Sequence, residues 1–419
     1  MPKTLIAVIG STVLQPRLNP NWIEELRSDD GSPIADEANV LIALAQAPQL
    51  QEIVAWNEFV GHLEIRDGRH LGLGQNRAWE DTDTIAVQTF IQQEAIPKIG
   101  REKVDAALKY FAHQYAAYHP LRDYLEALDW DGNCRLDAFC YNYLGAVPGV
   151  QPREYIAAAM VAWFVSAVAR VFDPGCQADY AIVLESAQGK LKSSALRLLA
   201  GDKYFSDSLP ADLAHKDARD HLRGKWILEL SELAQFKRSE IETVKAFISR
   251  RVEQYRPSYG HHEIVCPRQC VFAGSTNDSQ YLVDTTGNRR FWPIKCGELD
   301  LKALARDRDQ IWAEVVQRYL SGAIWYLTPD IEYLARAETG KRVAEDPWFA
   351  MVAQEIEGLS PAIADVTPGE ILSRLEVRIE QRSAHAAARV GRILVQLGWV
   401  RGQRHCTRGQ IFLAPTREA

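Results

Sequence analysis

The stretch that most restricts this chain is AIVLESAQGKLKSSALRLLAG, residues 181–201. Residues 181–184 are an unbroken apolar run that reads as a buried strand. A loop of small residues comes next, and Lys192-Ser193 then opens a run with Leu196, Leu198 and Leu199 at helical spacing. A strand that turns through such a loop into a helix N-terminus offers backbone N–H groups to an anion, and the helix dipole adds to the attraction. The usual phosphate-binding form, G-x-x-x-x-G-K-[ST], wants glycine where this chain has Ser186 and Leu191. A non-glycine residue at positive φ costs roughly 1–3 kcal/mol. Binding can offset that strain if the loop amides and the lysine still engage a triphosphate. Ser186 is small, Gly189 leaves a flexible point, and Lys190 adds a cation. Alone, the stretch is equally well an ordinary strand–loop–helix.

Three segments further along the chain decide the matter. KWILELSE, residues 225–232, is an apolar strand ending in acids. One carboxylate of Glu229 and Glu232 can help hold a metal ion while the other polarises an attacking water. VFAGSTN, residues 271–277, is a buried strand ending in Asn277, whose amide offers both a donor and an acceptor. TGNRRFWP, residues 286–293, sets Arg289 and Arg290 between a glycine turn and an apolar strand, and an arginine can stabilise charge on a transferring phosphoryl group. Strands are expected at 180–184, 226–230, 269–273 and 291–294, with helical stretches between the first three, the pattern of a parallel α/β sheet. The order of these four elements predicts an α/β P-loop ATPase core. Ser186, Ala187, Gln188, Gly189, Lys190, Leu191, Lys192, Ser193 and Ser194 would cradle ATP, and Ser193 and Glu229 would hold Mg²⁺.

Three regions are expected. Residues 1–150 read as a mostly helical accessory or collar domain, with helices near 40–45 and 104–118 and a helix start at 79–84. Residues 151–335 carry the core. A charged stretch at 339–346 reads as a linker, and residues 348–419 read as a winged helix. There TPGE (367–370) is a capping box with proline at the first helical position, 383–397 is a second helix, and 400–406 and 410–413 flank a turn. The longest apolar run, residues 156–169, is too short to span a bilayer and is expected to be a buried helix, so no membrane partner is expected. The N-terminal apolar stretch lacks a convincing cleavage site. Seven scattered cysteines form no CxxC pair and fit free thiols in a reducing cytoplasm. The net charge of −7 does not exclude nucleic acid, because binding depends on where basic residues cluster.

The chain resembles the virulence-associated protein E family of phage and mobile-element proteins, within the superfamily 3 helicases. The matching phrases are LESAQGKLKSSALRLLAGD, HLRGKWILELSELAQF, VKAFISRRVEQYRPSYG, PRQCVFAGSTN and YLVDTTGNRRFWPI, with HPLRDYLEALDWDGNCRLD upstream. The resemblance covers about residues 35–335 and runs more loosely to the end. It implies an AAA+-like ATPase and assigns Lys192 and Ser193 to the Walker A role, Glu229 and Glu232 to Walker B, and Asn277 to a sensor-like position. Arg289 or Arg290 would act as an arginine finger on ATP held by an adjacent subunit. It further implies a homo-oligomeric, usually hexameric, ring in a bacterial host's cytoplasm, with a pore hairpin near 245–262. Residues 1–150 read as too short for a primase-like domain and lack its acidic metal-site motifs, which leaves room for a separate primase as a partner.

Basic residues interleaved with tyrosines suit single-stranded DNA, since cations track phosphates while rings stack on bases. Lys245, Arg250, Arg251, Tyr255, Arg256 and Tyr259 are the candidates. From 381 to 416 every charged residue is an arginine; Arg389, Arg392, Arg404 and Arg408 are the candidates for duplex DNA. The expected function is an ATP-driven, ring-forming DNA helicase or translocase in phage or mobile-element replication. The alternative is a non-unwinding initiator or assembly factor that binds nucleotide with little hydrolysis.

Overall fold

The computed structural model describes residues 17–210, 212–213, 215–231, 238–256, 263–282, 288–343, 346–359, 363–405 and 407–415. Of 7–9, 12–14 and 238–239 it describes the backbone only. The chain divides into two compact units, residues 1–279 with 285–341, and residues 280–284 with 342–419.

The first unit is a mixed α/β structure built on five parallel strands. In chain order these are β5 (Ala181–Glu185), β6 (Phe205–Ser206), β7 (Ile227–Leu230), β10 (Val271–Thr276) and β11 (Phe291–Lys295). They lie in the order β6-β7-β10-β5-β11. Every residue of β5, β7 and β10 is buried, so the unbroken apolar runs match strands covered on both faces. The expected strands thus stand within three residues of their places. β6 has no counterpart among them, because two residues carry no pattern.

Helices α4 (Arg153–Phe172), α5 (Lys192–Ala200), α7 (Leu301–Leu320) and α8 (Pro329–Gly340) pack around this sheet. The 20-residue α4 is long and apolar enough to cross a membrane by composition. Most of it is buried inside the unit, as expected of a core helix. Three indoles pin the layers together. Trp163 Nε1 donates to Phe272 O at 2.8 Å, Trp226 Nε1 to Ala167 O at 2.9 Å, and Trp312 Nε1 to Leu199 O at 3.0 Å. The rings of Trp226 and Trp312 lie 4.2 Å apart. Each buried indole N–H therefore has an acceptor, the condition for placing tryptophan in a core.

Helix outweighs strand among the described residues of 1–150, in line with the mixed, mostly helical reading. Helices α1 (Glu37–Gln46), α2 (Asp81–Glu94) and α3 (Arg101–Tyr115) stand where expected, but they accompany a four-stranded sheet. Its strands are β1 (Val54–Asn57), β2 (His62–Asp67), β3 (Gln75–Ala78) and β4 (Ala117–Tyr118), in the order β3-β2-β1-β4. The β1–β2 turn depends on Gly61 at φ +73°, and Asn57 Oδ1 accepts from Phe59 N and Val60 N inside it. The helix-start signal at 79–84 is a true capping box, between Glu80 and Asp83.

A two-stranded antiparallel ladder, β8 (Val252–Tyr255) with β9 (Ile264–Pro267), comes after helix α6 (Arg238–Ile248) and leads into β10. The second unit has α9 (Phe349–Glu357), β12 (Asp365–Val366), α10 (Pro368–Arg374), α11 (Ala384–Gln396), β13 (Val400–His405) and β14 (Gly409–Leu413). Its three strands run β12-β14-β13. The Thr367–Glu370 capping box is formed, with Pro368 in the first turn.

Removing Trp312 would leave a large void between α4, α5 and α7 and would strip Trp226 of its ring partner. Trp312→Ala is expected to cost about 3–5 kcal/mol, read as a lower midpoint in urea unfolding.

Candidate nucleotide site

In an open parallel sheet the ligand crevice lies beyond the carboxyl ends of the strands. The register sets those ends side by side, with Leu184 and Glu185 of β5 opposite Ser275 and Thr276 of β10, and Glu229 and Leu230 of β7 opposite Ala273 and Gly274. The loop after β5 and Asn277 after β10 therefore share one edge. Ser186 N donates to Thr276 O at 3.4 Å, which ties the loop to the neighbouring strand.

The loop keeps the backbone that glycine normally supplies. Leu191 is left-handed, φ 63° and ψ 26°, at the N-cap of α5, and its side chain is about half exposed (51%). Gly189 is left-handed too, at φ +80°, with no heavy atom within 4 Å of where a Cβ would stand. No side chain caps α5. Its first N–H groups, which have no intrahelical partner, are left for an anion.

Lys192 is buried, and its ammonium donates to Ser186 O at 2.9 Å, Ser186 Oγ at 3.1 Å, Ala187 O at 3.3 Å and Asn277 Oδ1 at 3.0 Å. Both glycine substitutions are thus harmless to the lysine's position, and Ser186 contributes to it. Ser193 Oγ donates to Glu229 Oε1 at 2.8 Å, and Ser275 Oγ donates to the same oxygen at 2.5 Å. Glu229 is 1% exposed, and among the described residues its Oε2 has no hydrogen-bond partner. A buried carboxylate oxygen left without a partner is costly unless something else engages it. A hydroxyl and a carboxylate are hard oxygen donors of the kind Mg²⁺ takes. The donor set fits the expected ion.

Other expected residues are placed differently. Lys190 forms an ion pair with Glu298, beyond the end of β11, and so spends its charge within the fold. Arg289 and Arg290 form a helical turn immediately before β11. They lie at the opposite end of the sheet from Lys192, since Phe291 pairs with Ala181 and Lys295 with Glu185. A five-residue strand separates the two edges by roughly 15 Å. Arg290 Nε donates to Ser249 Oγ at 2.8 Å, whereas Arg289 is exposed. Glu232 lies outside the described residues.

The DNA candidates divide as well. Lys245 is buried and paired with Glu242 at 2.9 Å, so it is not displayed to a strand. Tyr255 is buried and its hydroxyl donates to Asp220 at 2.7 Å, which removes its ring from stacking. Burial and the Asp220 carboxylate raise its pKa. Arg250 packs over Phe247 and lies 3.6 Å from Glu253. Arg251 and Arg256 are exposed, although Arg251 Nε donates to Gly175 O. Tyr259 lies outside the described residues. In the second unit Arg389 is spent on Asp346 at 2.6 Å and on the face of Trp348, and Arg408 on Asp365 and Glu370 at 2.8 and 3.0 Å. Arg392 and Arg404 are exposed, as is Arg401.

Ser275 and Glu298 join the site without having been expected there. Ser275 carries a signal, since with Thr276 it puts hydroxyls at the end of a buried, otherwise apolar strand; Glu298 carries none, because its partner is 108 residues away. A cavity of about 670 Å³, lined by Trp56, Phe59, His113, Arg219 and Arg223 among others, lies at the foot of the β8–β9 ladder.

The molecule is thus a mixed α/β protein with a strand–loop–helix, a buried acid and an amide gathered at one edge of a parallel sheet. The model of the virulence-associated protein E-like domain matches residues 125–344, just over half of the chain, and the chain belongs to that family. No curated protein matches. Among solved structures, the A-form apo C-terminal region of NrS-1 (305–718) is similar at 13% identity over 86% of this chain and 96% of that one, with a TM-score of 0.44. A second A-form apo structure of that region gives 10% identity over the same shares and a TM-score of 0.45.

Cys296 lies beside this edge, its N–H bonded to Glu185 O, and burial first, then the Glu185 carboxylate, push its thiol up to about 12 from 9.0. The folded state therefore holds this proton more tightly than the unfolded chain does. Stability from this group is complete below pH 9.0 and declines as pH rises toward about 12. At neutral pH, iodoacetamide is expected to label exposed Cys134 and to spare Cys296 and Cys140 until the protein unfolds, as read by peptide mass spectrometry.

Proposed function

We propose that this chain is an ATP-hydrolysing DNA helicase or translocase of phage or mobile-element replication, acting as a homo-oligomeric ring of six copies. Its first unit would be a P-loop, AAA+-like core, and its second a winged helix. The observation that carries this reading is the cluster of Ser193, Ser275 and Glu229, with one buried carboxylate oxygen free among the described residues, beside Lys192 and Asn277. Family membership supports the replication setting.

Mg²⁺, held by Ser193 and Glu229, would supply charge neutralisation across the β- and γ-phosphates. The residues of the chain do the rest. Lys192 exchanges the carbonyls of Ser186 and Ala187 for phosphate oxygens, an exchange of neutral acceptors for charged ones that favours the bound state. Asn277 then loses the ammonium from its Oδ1 and is free to orient the attacking water. Ser275 keeps Glu229 Oε1 occupied, which leaves Oε2 as the oxygen that would meet the ion. Arg289, exposed at the far edge, would reach the triphosphate of a neighbouring copy; Arg290 is held on Ser249 and is the weaker candidate.

For DNA, the exposed Arg251 and Arg256 would contact a single strand at the β8–β9 ladder, and Arg392, Arg401 and Arg404 a duplex at the second unit. Each lost phosphate contact lowers the salt dependence of binding by about one counterion.

The test is DNA-stimulated ATP turnover and unwinding of a forked duplex. Lys192→Ala is expected to abolish both, and Glu229→Gln to cut turnover by about two orders of magnitude or more while the protein remains folded. Arg289→Ala is expected to lose turnover alone, and to regain part of it when mixed with Lys192→Ala protein, because each supplies what the other lacks. Turnover with no unwinding in the wild type would favour an initiator or assembly factor. Turnover retained in Lys192→Ala would refute the site.

A further inference from the structure

Helix α11 carries two arginines three positions apart, and the second unit places them differently. Ala386, Val390, Ile393 and Leu394 bury its apolar stripe, and Arg389 and Arg392 lie outside that stripe. Arg392 is exposed. Arg389 is gripped by Asp346, just ahead of α9. Its Nε donates to Asp346 Oδ2 at 2.8 Å and Oδ1 at 2.9 Å, and its Nη2 donates to Oδ1 at 2.6 Å. The guanidinium stands 4.4 Å from the centre of the Trp348 ring, a cation–π contact that fixes its place. Each partner is about a quarter exposed (26% and 27%), so the pair is open to solvent.

A carboxylate on the fork of a guanidinium reproduces the way a phosphate binds arginine, through charge-assisted hydrogen bonds. Burial raises the Asp346 carboxyl, but the Arg389 hydrogen bonds, the Trp348 N–H and the charges of Arg389 and Arg392 together hold it below its ordinary 3.8. It is therefore ionised at neutral pH and senses both arginines of α11. Its other task is local. Oδ1 accepts from Trp348 N at 2.9 Å and shapes the turn into α9, which a neutral oxygen does as well. The negative charge is not needed there, and it falls on the arginines of the helix. Arg408 differs, because its partner Glu370 already has a local task in the capping box with Thr367.

We infer that Asp346 is a built-in competitor for the DNA backbone, which occupies Arg389 in place of a phosphate and holds the duplex affinity of the second unit below what α11 can supply. This rests on reading the second unit as the duplex-binding part of the chain. An ion pair this open is weak and exchanges readily. A phosphate that takes Arg389 must displace Asp346 and then lies beside its uncompensated charge. The same charge lowers the positive potential at Arg392. The unit therefore holds a duplex loosely, although the guanidinium that would tighten the grip is already oriented on Trp348.

The test is binding of a short fluorescein-labelled DNA duplex by the full chain, followed by anisotropy over a series of salt concentrations. Asp346→Asn keeps the oxygen that accepts from Trp348 N and removes the charge. It is expected to tighten binding five- to tenfold at ~0.1 M salt and to steepen the salt dependence by about 0.9 of a counterion, the share of one phosphate contact. Asp346→Ser, which also leaves a capping oxygen, is expected to do the same. Asp346→Asn/Arg389→Gln is expected to return affinity and slope to the wild-type values. Glu380→Gln removes an exposed charge from the same unit and is expected to leave both nearly unchanged. Folded Asp346→Asn and Asp346→Ser proteins that bind no tighter than wild type overturn the inference and leave duplex binding intact. A gain that survives Arg389→Gln, or an equal gain from Glu380→Gln, does the same. No binding by wild type or by either Asp346 variant refutes the duplex reading of the second unit and the inference with it.

Discussion

The first unit depends on the Lys192 ammonium being gathered from three directions. The carbonyls of Ser186 and Ala187 hold it from its own loop, and Asn277 holds it from the next strand. A buried ammonium needs such partners, because burying a charge unpaired is costly. The same contacts close the loop into shape and tie β5 to β10, so the strand-end geometry and the loop conformation stand or fall together. They also create a competition. On the proposed reading a triphosphate would displace these neutral acceptors from Lys192 and release Asn277, coupling nucleotide occupancy to the end of a core strand.

The P-loop pattern is better understood as a set of backbone conformations than as a set of letters. Leu191 adopts the left-handed geometry of the missing glycine, and the Ser186 hydroxyl oxygen accepts from the lysine. The strain at Leu191 is local and small beside the burial of β5, all five of whose residues are buried. A core of this size carries one strained residue without losing its register.

Much of the core was legible in the sequence. The strands at 181–185, 227–230 and 271–276 are buried along their whole length, and Phe291–Ile294 gives a fourth buried apolar run. The grouping of Lys192, Ser193, Glu229 and Asn277 could be read from their order. The N-terminal sheet was less legible, because Gln75–Ala78 is almost wholly exposed and Ala117–Tyr118 is two residues long, so neither shows alternation. Several DNA candidates are engaged within the fold for a different reason. A basic residue in sequence says nothing about an acid brought to it by folding, and Asp346 reaches Arg389 across 43 positions while Asp220 reaches Tyr255 across 35. Charge counts along the second unit therefore overstate the positive surface, to which the exposed Arg374, Arg378, Arg392, Arg401 and Arg404 contribute.

The opposite edges of the parallel sheet set the logic of the first unit. The candidate residues collect where the strands end, and the exposed Arg289 sits where they begin; on the proposed reading one chain would hold both halves of a site that it cannot close on itself. Equilibrium titration of a fluorescent ATP analogue with Mg²⁺ probes the root of this account. Saturable binding at or below about millimolar nucleotide, lost in Lys192→Ala and weakened when Mg²⁺ is chelated, is the expected result. No binding in that range, or binding indifferent to Lys192, would contradict it.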